Sequence, residues 1–462
     1  MSSTVIYAGG HCCADKRQWE RRQHGNPALA KKCGPCYDVS MKIFALIVFI
    51  VMYVLMTRFL NKRVWIVLAA AAVFLVAGVL PWGSVPGEIN WNVLLMIGGT
   101  MVLVDFFIAS RMPNRIADFL LNKSRNVMWV TIYMSLFSGV ISAFIDNVAT
   151  VLMVAPVGLA ICKKLKISPV PMILAIAVSS NLQGAATLVG DTTSIMLGAY
   201  AHMDFLDFFW MHGRPGIFFA VELGALATVP IMMFLFRKDK EPVHSDEKTE
   251  VTDLVPTVLL VGIVIALILA SFIKNKPDIT NGLLCCIFAG VAIVHSLLRT
   301  RKKEDMIHAV KSVDFETLIL LAGLFIVIGG ITEVGVIDDI ASLIARVGGS
   351  NMFLLYTIIV WASVAFSAFI DNIPYVATML PVLTGITAKL QVDPYLLYFG
   401  LLCGATLGGN LTPVGASANI TAVGMLKKNG YEVGFGDFAR IGVPFTLTAV
   451  LVGYLFIWFV WR

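Results

Sequence analysis

Long runs of apolar residues, separated by short polar segments, occupy the chain from about residue 43 to its end. Most runs hold about 18 to 22 residues, which is enough for one α-helix to cross the roughly 30 Å hydrocarbon core of a bilayer. Many such runs in one chain predict an all-α, polytopic membrane protein.

Two of the runs are longer and carry a polar pair at their middle. The first extends from about Val127 to Ile161 and is broken by Asp146-Asn147, and the second, about Phe353 to Ala388, is broken by Asp371-Asn372. Basic residues flank both ends of the first run, so both ends are expected on the cytoplasmic side. The run then enters and leaves the membrane as a re-entrant hairpin, although two arms of about 17 residues could also make two full crossings.

The residues around these polar pairs are duplicated. The segment Ser142-Ala143-Phe144-Ile145-Asp146-Asn147 recurs letter for letter 225 residues later, at 367–372. The same offset relates Pro156, Thr187 and Gly190 to Pro381, Thr412 and Gly415. An offset held over so long a stretch indicates that one unit has been duplicated.

The duplication divides the chain into four predicted parts: a polar extension over 1–40, a first membrane repeat over 41–236, a charged cytoplasmic linker over 237–253 and a second repeat over 254–462. Each repeat has about five crossings and one hairpin. Because five is odd, the second repeat is expected to insert upside down relative to the first. Inverted repeats with Gly- or Pro-interrupted spans are typical of secondary transporters whose site lies at the bilayer midplane.

Composition narrows the class further. The chain is 58% hydrophobic and 14% charged, which excludes a soluble domain and predicts a multi-pass protein of the cell membrane. Its net charge of +6 indicates cytoplasmic loops rather than nucleic-acid binding.

The polar extension over 1–40 is expected to be disordered, or a misread region upstream of a start at Met41. Its Cys33-Gly34-Pro35-Cys36 is spelled like a redox pair or, with His11 and His24, a zinc site, but no strand–helix pattern surrounds it.

The polar residues at membrane depth are the candidates for chemistry. Ionisable residues there are costly and are functional hypotheses by default. Asp146 and Asp371 offer acceptor-only carboxylates, and their neighbouring asparagines offer amide oxygens, which suit a hard cation such as Na⁺ or an exchangeable proton. Asp191 has no acidic partner in the second repeat, where Ala416 stands, so it is expected to set coupling or charge selectivity. Turn formation by Asp-Asn and helix packing by the glycines are the alternative explanations.

Four segments carry a family resemblance. In the first repeat they are Ser-Ala-Phe-Ile-Asp-Asn-Val and Gly-Ala-Ala-Thr-Leu-Val-Gly-Asp, and in the second repeat they are Asp-Asn-Ile-Pro-Tyr and Gly-Gly-Asn-Leu-Thr-Pro-Val-Gly-Ala-Ser-Ala-Asn-Ile. Together they resemble the ion transporter superfamily. The resemblance is closest to the branch of arsenite pumps and sodium/proton antiporter D, which includes P-protein-like members, and it implies a citrate-transporter-like domain. Citrate and dicarboxylate permeases are more distant relatives. It covers about residues 41–462 and implies scaffold and transport domains, a homodimer and elevator-like movement.

Carried over by position, the resemblance implies two sites for a small inorganic or organic ion. The first would use Ser142, Asp146, Asn147, Asn181, Thr187, Gly190 and Asp191, and the second Ser367, Asp371, Asn372, Asn410, Thr412, Gly415 and Ser417. The chain departs from the dicarboxylate branch, which has Ser-Asn-Thr at the hairpin tips. It also has Thr192-Thr193 where many relatives have two prolines, a departure that concerns the substrate and not the fold.

We therefore predict a secondary active ion transporter, not an enzyme, that uses Na⁺ or H⁺ as coupling ion and needs no other cofactor. Cation exchange and transport of a dicarboxylate, citrate or arsenite-type anion are both open. A passive channel fits interrupted helices less well. An intramembrane aspartyl protease is a remote alternative, because Leu188 replaces the first glycine of its Gly-x-Gly-Asp motif. The sequence contains no phosphate-binding loop for ATP hydrolysis, so energy from ATP would require a partner ATPase.

Overall fold

The computed structural model describes residues 39–59, 62–243, 248–300, 303–348 and 351–462. The Cys33–Cys36 motif and nearly all of the extension lie outside these residues. The described part folds as 20 α-helices with short 3₁₀ turns and one small antiparallel pair of strands, Trp210–Met211 and Arg214–Pro215. The prediction of an all-α protein is confirmed apart from this pair.

The first ten helices precede the linker. They are α1 (Val39–Arg58), α2 (Arg63–Val76), α3 (Val85–Glu88), α4 (Trp91–Ala109), α5 (Met112–Lys123), α6 (Val127–Ser142), α7 (Asn147–Leu165), α8 (Val170–Gly184), α9 (Thr192–Tyr200) and α10 (Ile217–Leu235).

Ten more helices follow the linker. They are α11 (Val255–Ala270), α12 (Thr280–Thr300), α13 (Lys303–Lys311), α14 (Phe315–Glu333), α15 (Val336–Gly348), α16 (Met352–Ser367), α17 (Asn372–Leu390), α18 (Tyr395–Gly408), α19 (Ser417–Lys428) and α20 (Phe435–Trp461).

The duplication is visible in the helix boundaries. Helices α6 and α7 begin and end 225 residues before α16 and α17 (352 − 127 and 372 − 147). Their caps recur too: the side chain of Asn126 accepts a bond from an N–H of α6 at 3.1 Å, and that of Asn351 does the same for α16 at 3.1 Å. The same residue types therefore start the same helices in both halves, while the opposite orientation of the halves stays a prediction.

The breaks within the two long runs are confirmed, between α6 and α7 and between α16 and α17. Eight described helices are long and apolar enough to cross a membrane, but α6 and α16 hold only 16 residues each. At about 1.5 Å per residue such an arm reaches roughly 24 Å, short of the hydrocarbon thickness. The short arms favour the re-entrant hairpin, but the partner arms α7 and α17 hold 19 residues each and are among the eight helices, so the hairpin stays a prediction.

Two short helices, α5 and α15, lie between the membrane-length runs. Helix α5 buries Pro113, Ala117 and Leu121, spaced four residues apart on one face, and α15 follows α14 as α5 follows α4. Because polar and charged residues alternate with this short apolar stripe, neither helix forms a continuous apolar run of membrane length in the sequence.

The linker ends on a charged cluster outside the membrane spans. The carboxylate of Asp253 accepts bonds from the N–H of Val255 at 2.9 Å and from His295 at 2.9 Å, and it pairs with Arg299. Burial alone would raise the pKa of Asp253, but these hydrogen bonds and the guanidinium charge outweigh it and hold the pKa below its usual value.

Helices α8 and α18 form the centre of the molecule. From Met172 to Gly184 and from Leu396 to Gly408 every residue is buried. Helix α8 packs against α6, and α18 packs against α16, so each hairpin lies on the buried helix of its own repeat. In addition α9 packs against α17, and α19 packs against α7, which interlocks the two repeats around the breaks.

Candidate functional site

Each hairpin tip is held in shape by its own aspartate. The Asp146 carboxylate accepts hydrogen bonds from the N–H groups of Val148 and Ala149 at 3.0 and 3.2 Å, which caps the first turn of α7. The Asp371 carboxylate accepts one from Ile373 at 3.3 Å at the start of α17. Capping accounts for one oxygen of each carboxylate and thus explains why Asp stands at both breaks. Turn formation, the alternative explanation considered from the sequence, is therefore one role of these residues. The cap at Asp146 uses only Oδ2 and leaves Oδ1 available to another ligand.

The break between α8 and α9 contacts the first hairpin tip, and the break between α18 and α19 contacts the second. The Thr187 hydroxyl donates to the carbonyl of Ala143, and the Thr412 hydroxyl donates to the carbonyl of Ala368 at 2.5 Å. A Cβ added at Gly190 would lie 2.6 Å from the carbonyl oxygen of Ser142.

Gly415 repeats this arrangement, because a Cβ there would lie 2.7 Å from the carbonyl oxygen of Ser367. The serines themselves bond across to the buried helices: Ser142 accepts from Ser180 at 3.1 Å, and Ser367 donates to the Ala405 carbonyl at 2.5 Å. Thr187, Gly190, Ser142 and their second-repeat counterparts thus form a matched frame that fixes each tip to its broken helix.

The first corner combines two carboxylates with amides. The Asn147 side-chain amide donates to Asn181 Oδ1 at 2.9 Å and lies 3.4 Å from Asp191 Oδ1. Thr193 donates its hydroxyl to Asp191 Oδ2 at 2.7 Å. Asn147, Asn181 and Asp191 are all at least nine-tenths buried. In the described residues no ion pair joins Asp146 or Asp191 to a basic side chain, so neither carboxylate has a fixed positive partner.

The second corner contains a basic residue that the sequence analysis missed. Arg63, the first residue of α2, donates from Nη1 to Asp371 Oδ2 at 2.5 Å, and the Ser417 hydroxyl donates to the same oxygen at 3.2 Å. Arg63 directly follows the first apolar run, where a basic residue indicates only the cytoplasmic side of the membrane. Its role as a partner of a residue 308 positions away had no signal in the sequence.

The two repeats are tied together between the corners by buried amides. Asn181 donates to the Thr406 carbonyl at 2.7 Å and to Asn410 Oδ1 at 3.1 Å, and Asn410 donates to the Val178 carbonyl at 2.9 Å. Thr193 and Thr406 share a hydroxyl bond of 3.0 Å. Asn181 and Asn410 do not occupy equivalent positions, since Asn181 corresponds to Thr406 at the offset of 225. Both face the opposite repeat and not the solvent.

A cavity of about 410 Å³ brings both corners together. Of the predicted site residues, it is lined by Asp146, Asn147, Asp191, Asp371, Asn372 and Ser417. The other eight do not line it: Ser142, Asn181, Thr187, Gly190, Ser367, Asn410, Thr412 and Gly415. The predicted set therefore separates into a lining and a supporting frame.

The lining is strongly acidic. Six carboxylates border the cavity, those of Asp105, Asp146, Asp191, Asp314, Glu316 and Asp371, and Arg63 is the one basic residue among the described lining residues. Three of the carboxylates were not predicted. Asp314 and Glu316 stand at the start of an apolar run, where charges ordinarily mark the membrane surface, whereas Asp105 lies inside α4, about one turn before its end. Carboxylate, amide and hydroxyl oxygens are ligands suited to a hard cation, and a carboxylate can also take a proton.

The first residues of four helices also border this cavity. They are Asn147, Thr192, Asn372 and Ser417, which begin α7, α9, α17 and α19. Helix N-termini carry partial positive charge and unpaired N–H groups, which favour an anion. At the two hairpins the capping aspartates already neutralise much of this effect.

The chain matches the family model described as Citrate transporter over residues 44–404. An uncharacterized transporter of Mycobacterium tuberculosis is 30% identical over 430 residues, covering 90% of this chain and 98% of the relative. The human P protein is 26% identical over 498 residues, covering 90% of this chain but only 58% of its own length.

Two solved structures have a similar fold. The YdaH transporter of Alcanivorax borkumensis aligns with a TM-score of 0.56 at 13% identity, covering 81% of this chain and 86% of its own. MtrF of Neisseria gonorrhoeae, described as illuminating a class of antimetabolite efflux pumps, aligns with a TM-score of 0.52 at 14% identity, covering 80% of each chain. At these identities the likeness concerns the fold alone.

Proposed function

The chain belongs to the citrate transporter family and is a multi-pass membrane transporter, and on this premise we propose that it is a secondary active transporter of a small ion coupled to Na⁺ or H⁺. The coupling cation binds at the first corner, between Asp146, Asn147 and Asp191. The observation that carries this proposal is the cavity that both hairpin tips border, with its six carboxylates and a single arginine.

Charge decides which cargo is favoured. A free dicarboxylate or citrate in this cavity would face several carboxylates at short range, and Arg63 is already paired with Asp371 at 2.5 Å. Even at an effective dielectric constant of 20, two like charges 4 Å apart repel by about 4 kcal/mol. Exchange of Na⁺ for H⁺ is therefore our first candidate.

Transport of a small anion together with cations is the second candidate. It is favoured by the four helix N-termini at the cavity, whose N–H groups could hold an anion once cations have neutralised the carboxylates. The cation at the first corner is common to both candidates.

The mechanism we propose is alternating access. Asp314 and Ser312 line the cavity and lie at the start of α14, an end that the charge pattern assigns to the cytoplasm. In the state described here the cavity would thus face inward. Movement of the hairpins and broken helices as one body would expose the corners on the other side, and a homodimer of scaffold domains would be its frame.

A stability panel tests the proposal. Purified protein is melted in Na⁺, Li⁺, citrate, succinate, arsenite or phosphate across a range of pH, because a ligand that binds the native state raises its melting temperature. We expect Na⁺ or Li⁺ to stabilise the protein more at high pH than at low pH, since protons compete for the same carboxylates. Stabilisation by an anion that needs no cation would overturn the proposed order of binding.

Transport itself is then measured in proteoliposomes with an internal pH indicator. An imposed Na⁺ gradient should drive proton movement for the first candidate. For the second, it should drive uptake of the anion identified by the panel. Flux that never exceeds passive equilibration would indicate a channel instead.

A further inference from the structure

The two corners are built from duplicated segments but differ in charge. The first holds Asp146 and Asp191, with no basic partner in the described part of the chain. In the second, Ala416 replaces the counterpart of Asp191, and Asp371 is paired with Arg63. With every carboxylate ionised, the charge is therefore −2 at the first corner and zero at the second.

Arg63 is held in place as a partner of the second tip. Its side chain is 21% exposed and that of Asp371 is 12% exposed, so the pair is largely withdrawn from water. The neighbouring helix α1 contacts the same hairpin, because the Tyr53 hydroxyl donates to the Pro374 carbonyl at 2.7 Å and lies 2.6 Å from Thr378 Oγ1. Helices α1 and α2 therefore both contact the start of α17, and α2 supplies the guanidinium that pairs with Asp371.

The guanidinium occupies the place that a bound cation would need. It lies against Asp371 Oδ2, the oxygen that also receives the Ser417 hydroxyl, and the other oxygen accepts the Ile373 N–H. A second cation at this carboxylate would stand directly beside a fixed positive charge that cannot lose its proton. The corner is satisfied without any mobile ion.

We propose that Arg63 is a tethered cation that fills the second corner, so that each protomer takes a mobile coupling cation only at the first. This inference rests on the proposed function and adds its stoichiometry. It assigns to Arg63 a role in specificity: removal of its charge converts the second corner into a second cation site formed by Asp371, Asn372 and Ser417.

The test is the dependence of melting temperature on Na⁺ concentration at fixed pH in the purified full-length protein. Above saturation, stabilisation rises with the logarithm of ion concentration in proportion to the number of sites. For wild type we expect the slope of one site. For Arg63→Gln we expect a slope about twofold steeper, and for the double variant Arg63→Gln/Asp371→Asn a return to the wild-type slope.

Arg58→Gln is the matched control, because Arg58 is exposed at the end of α1 and its loss changes the net charge equally. Its slope should equal that of wild type. Arg63→Lys keeps the positive charge and should also keep the single slope, which leaves the inference testable if Arg63→Gln folds poorly.

The outcomes separate the two proposals. A wild-type slope of one site with an unchanged slope in Arg63→Gln overturns this inference and leaves the proposed function standing. A steeper slope in Arg63→Lys also overturns it. Absence of cation-dependent stabilisation in wild type overturns the proposed function and this inference together.

Discussion

The close contact at Gly190 gives a sharp prediction for Gly190→Ala. The new Cβ would lie 2.6, 2.7 and 2.8 Å from the carbonyl oxygens of Ser142, Gly184 and Ala143. Since Cβ atoms essentially never come within 3.0 Å of another heavy atom, the backbone of the hairpin break or of the broken helix must move by several tenths of an ångström. Overpacking of this kind costs about 1–3 kcal/mol.

Thermal unfolding of the purified variants at one scan rate measures this cost. The midpoint should fall by several degrees for Gly190→Ala, on the order of 2 °C per kcal/mol. It should fall equally for Gly415→Ala, whose Cβ would lie 2.6, 2.7 and 2.8 Å from three carbonyl oxygens of the second repeat.

Gly424→Ala is the matched control, because it lies in α19 and a Cβ there meets nothing within 4 Å. Alanine is the better helix former, so this variant should melt at the wild-type temperature or slightly above it. Wild-type melting and transport in Gly190→Ala would refute the reasoning, because the frame would then tolerate the displacement that we argue it forbids.

Three further predictions concern the polar residues. Asp146→Asn removes a ligand of the coupling cation, and Asp371→Asn leaves the Arg63 charge unpaired in the cavity, so each should abolish coupled flux in proteoliposomes while the protein stays folded; normal rates in both would count against the site. Asn181→Ala removes two buried cross-repeat bonds and should lower the free energy of unfolding by about 1–3 kcal/mol, as judged by thermal stability; no loss would show that the repeats do not depend on this tie. Asp253→Asn should lower stability by about 1 kcal/mol at neutral pH. Because the folded-state pKa of Asp253 is depressed, its stabilisation is complete above its usual pKa of 3.8 and is lost as pH falls through the lower folded value, so melting curves of wild type and variant should converge only in acid.

The positions of the helix breaks could be predicted because membrane depth makes a polar pair conspicuous. Helices α7 and α17 begin at Asn147 and Asn372, directly after the aspartates that the sequence identified. The duplication strengthened the prediction of the site residues. Gly190 and Gly415 are related by the offset of 225, and a Cβ added at either would come close to carbonyl oxygens of its own hairpin break. Local chemistry and repetition thus determined most of the frame.

The composition of the cavity could not be predicted in the same way. Arg63 lies 308 residues from Asp371, and no pattern in one sequence indicates that pairing. Asp105, Asp314 and Glu316 stand near the ends of apolar runs, where charges ordinarily mark the membrane surface. These residues line the cavity only because helices distant in the sequence pack together. The charge around the site therefore depends on tertiary packing and could not be predicted from the sequence.

The central claim, that both repeats border one water-filled site, is tested most directly by cysteine accessibility. In a background with the native cysteines replaced, Ala149→Cys on the first hairpin and Ile420→Cys on α19 both line the cavity, whereas Val140→Cys lies on the exposed side of α6. A membrane-impermeant thiol reagent should label the first two from the same side of the membrane and leave the third, which we expect to face lipid, unlabelled. Labelling of the two cavity positions from opposite sides, or of neither, would contradict the account.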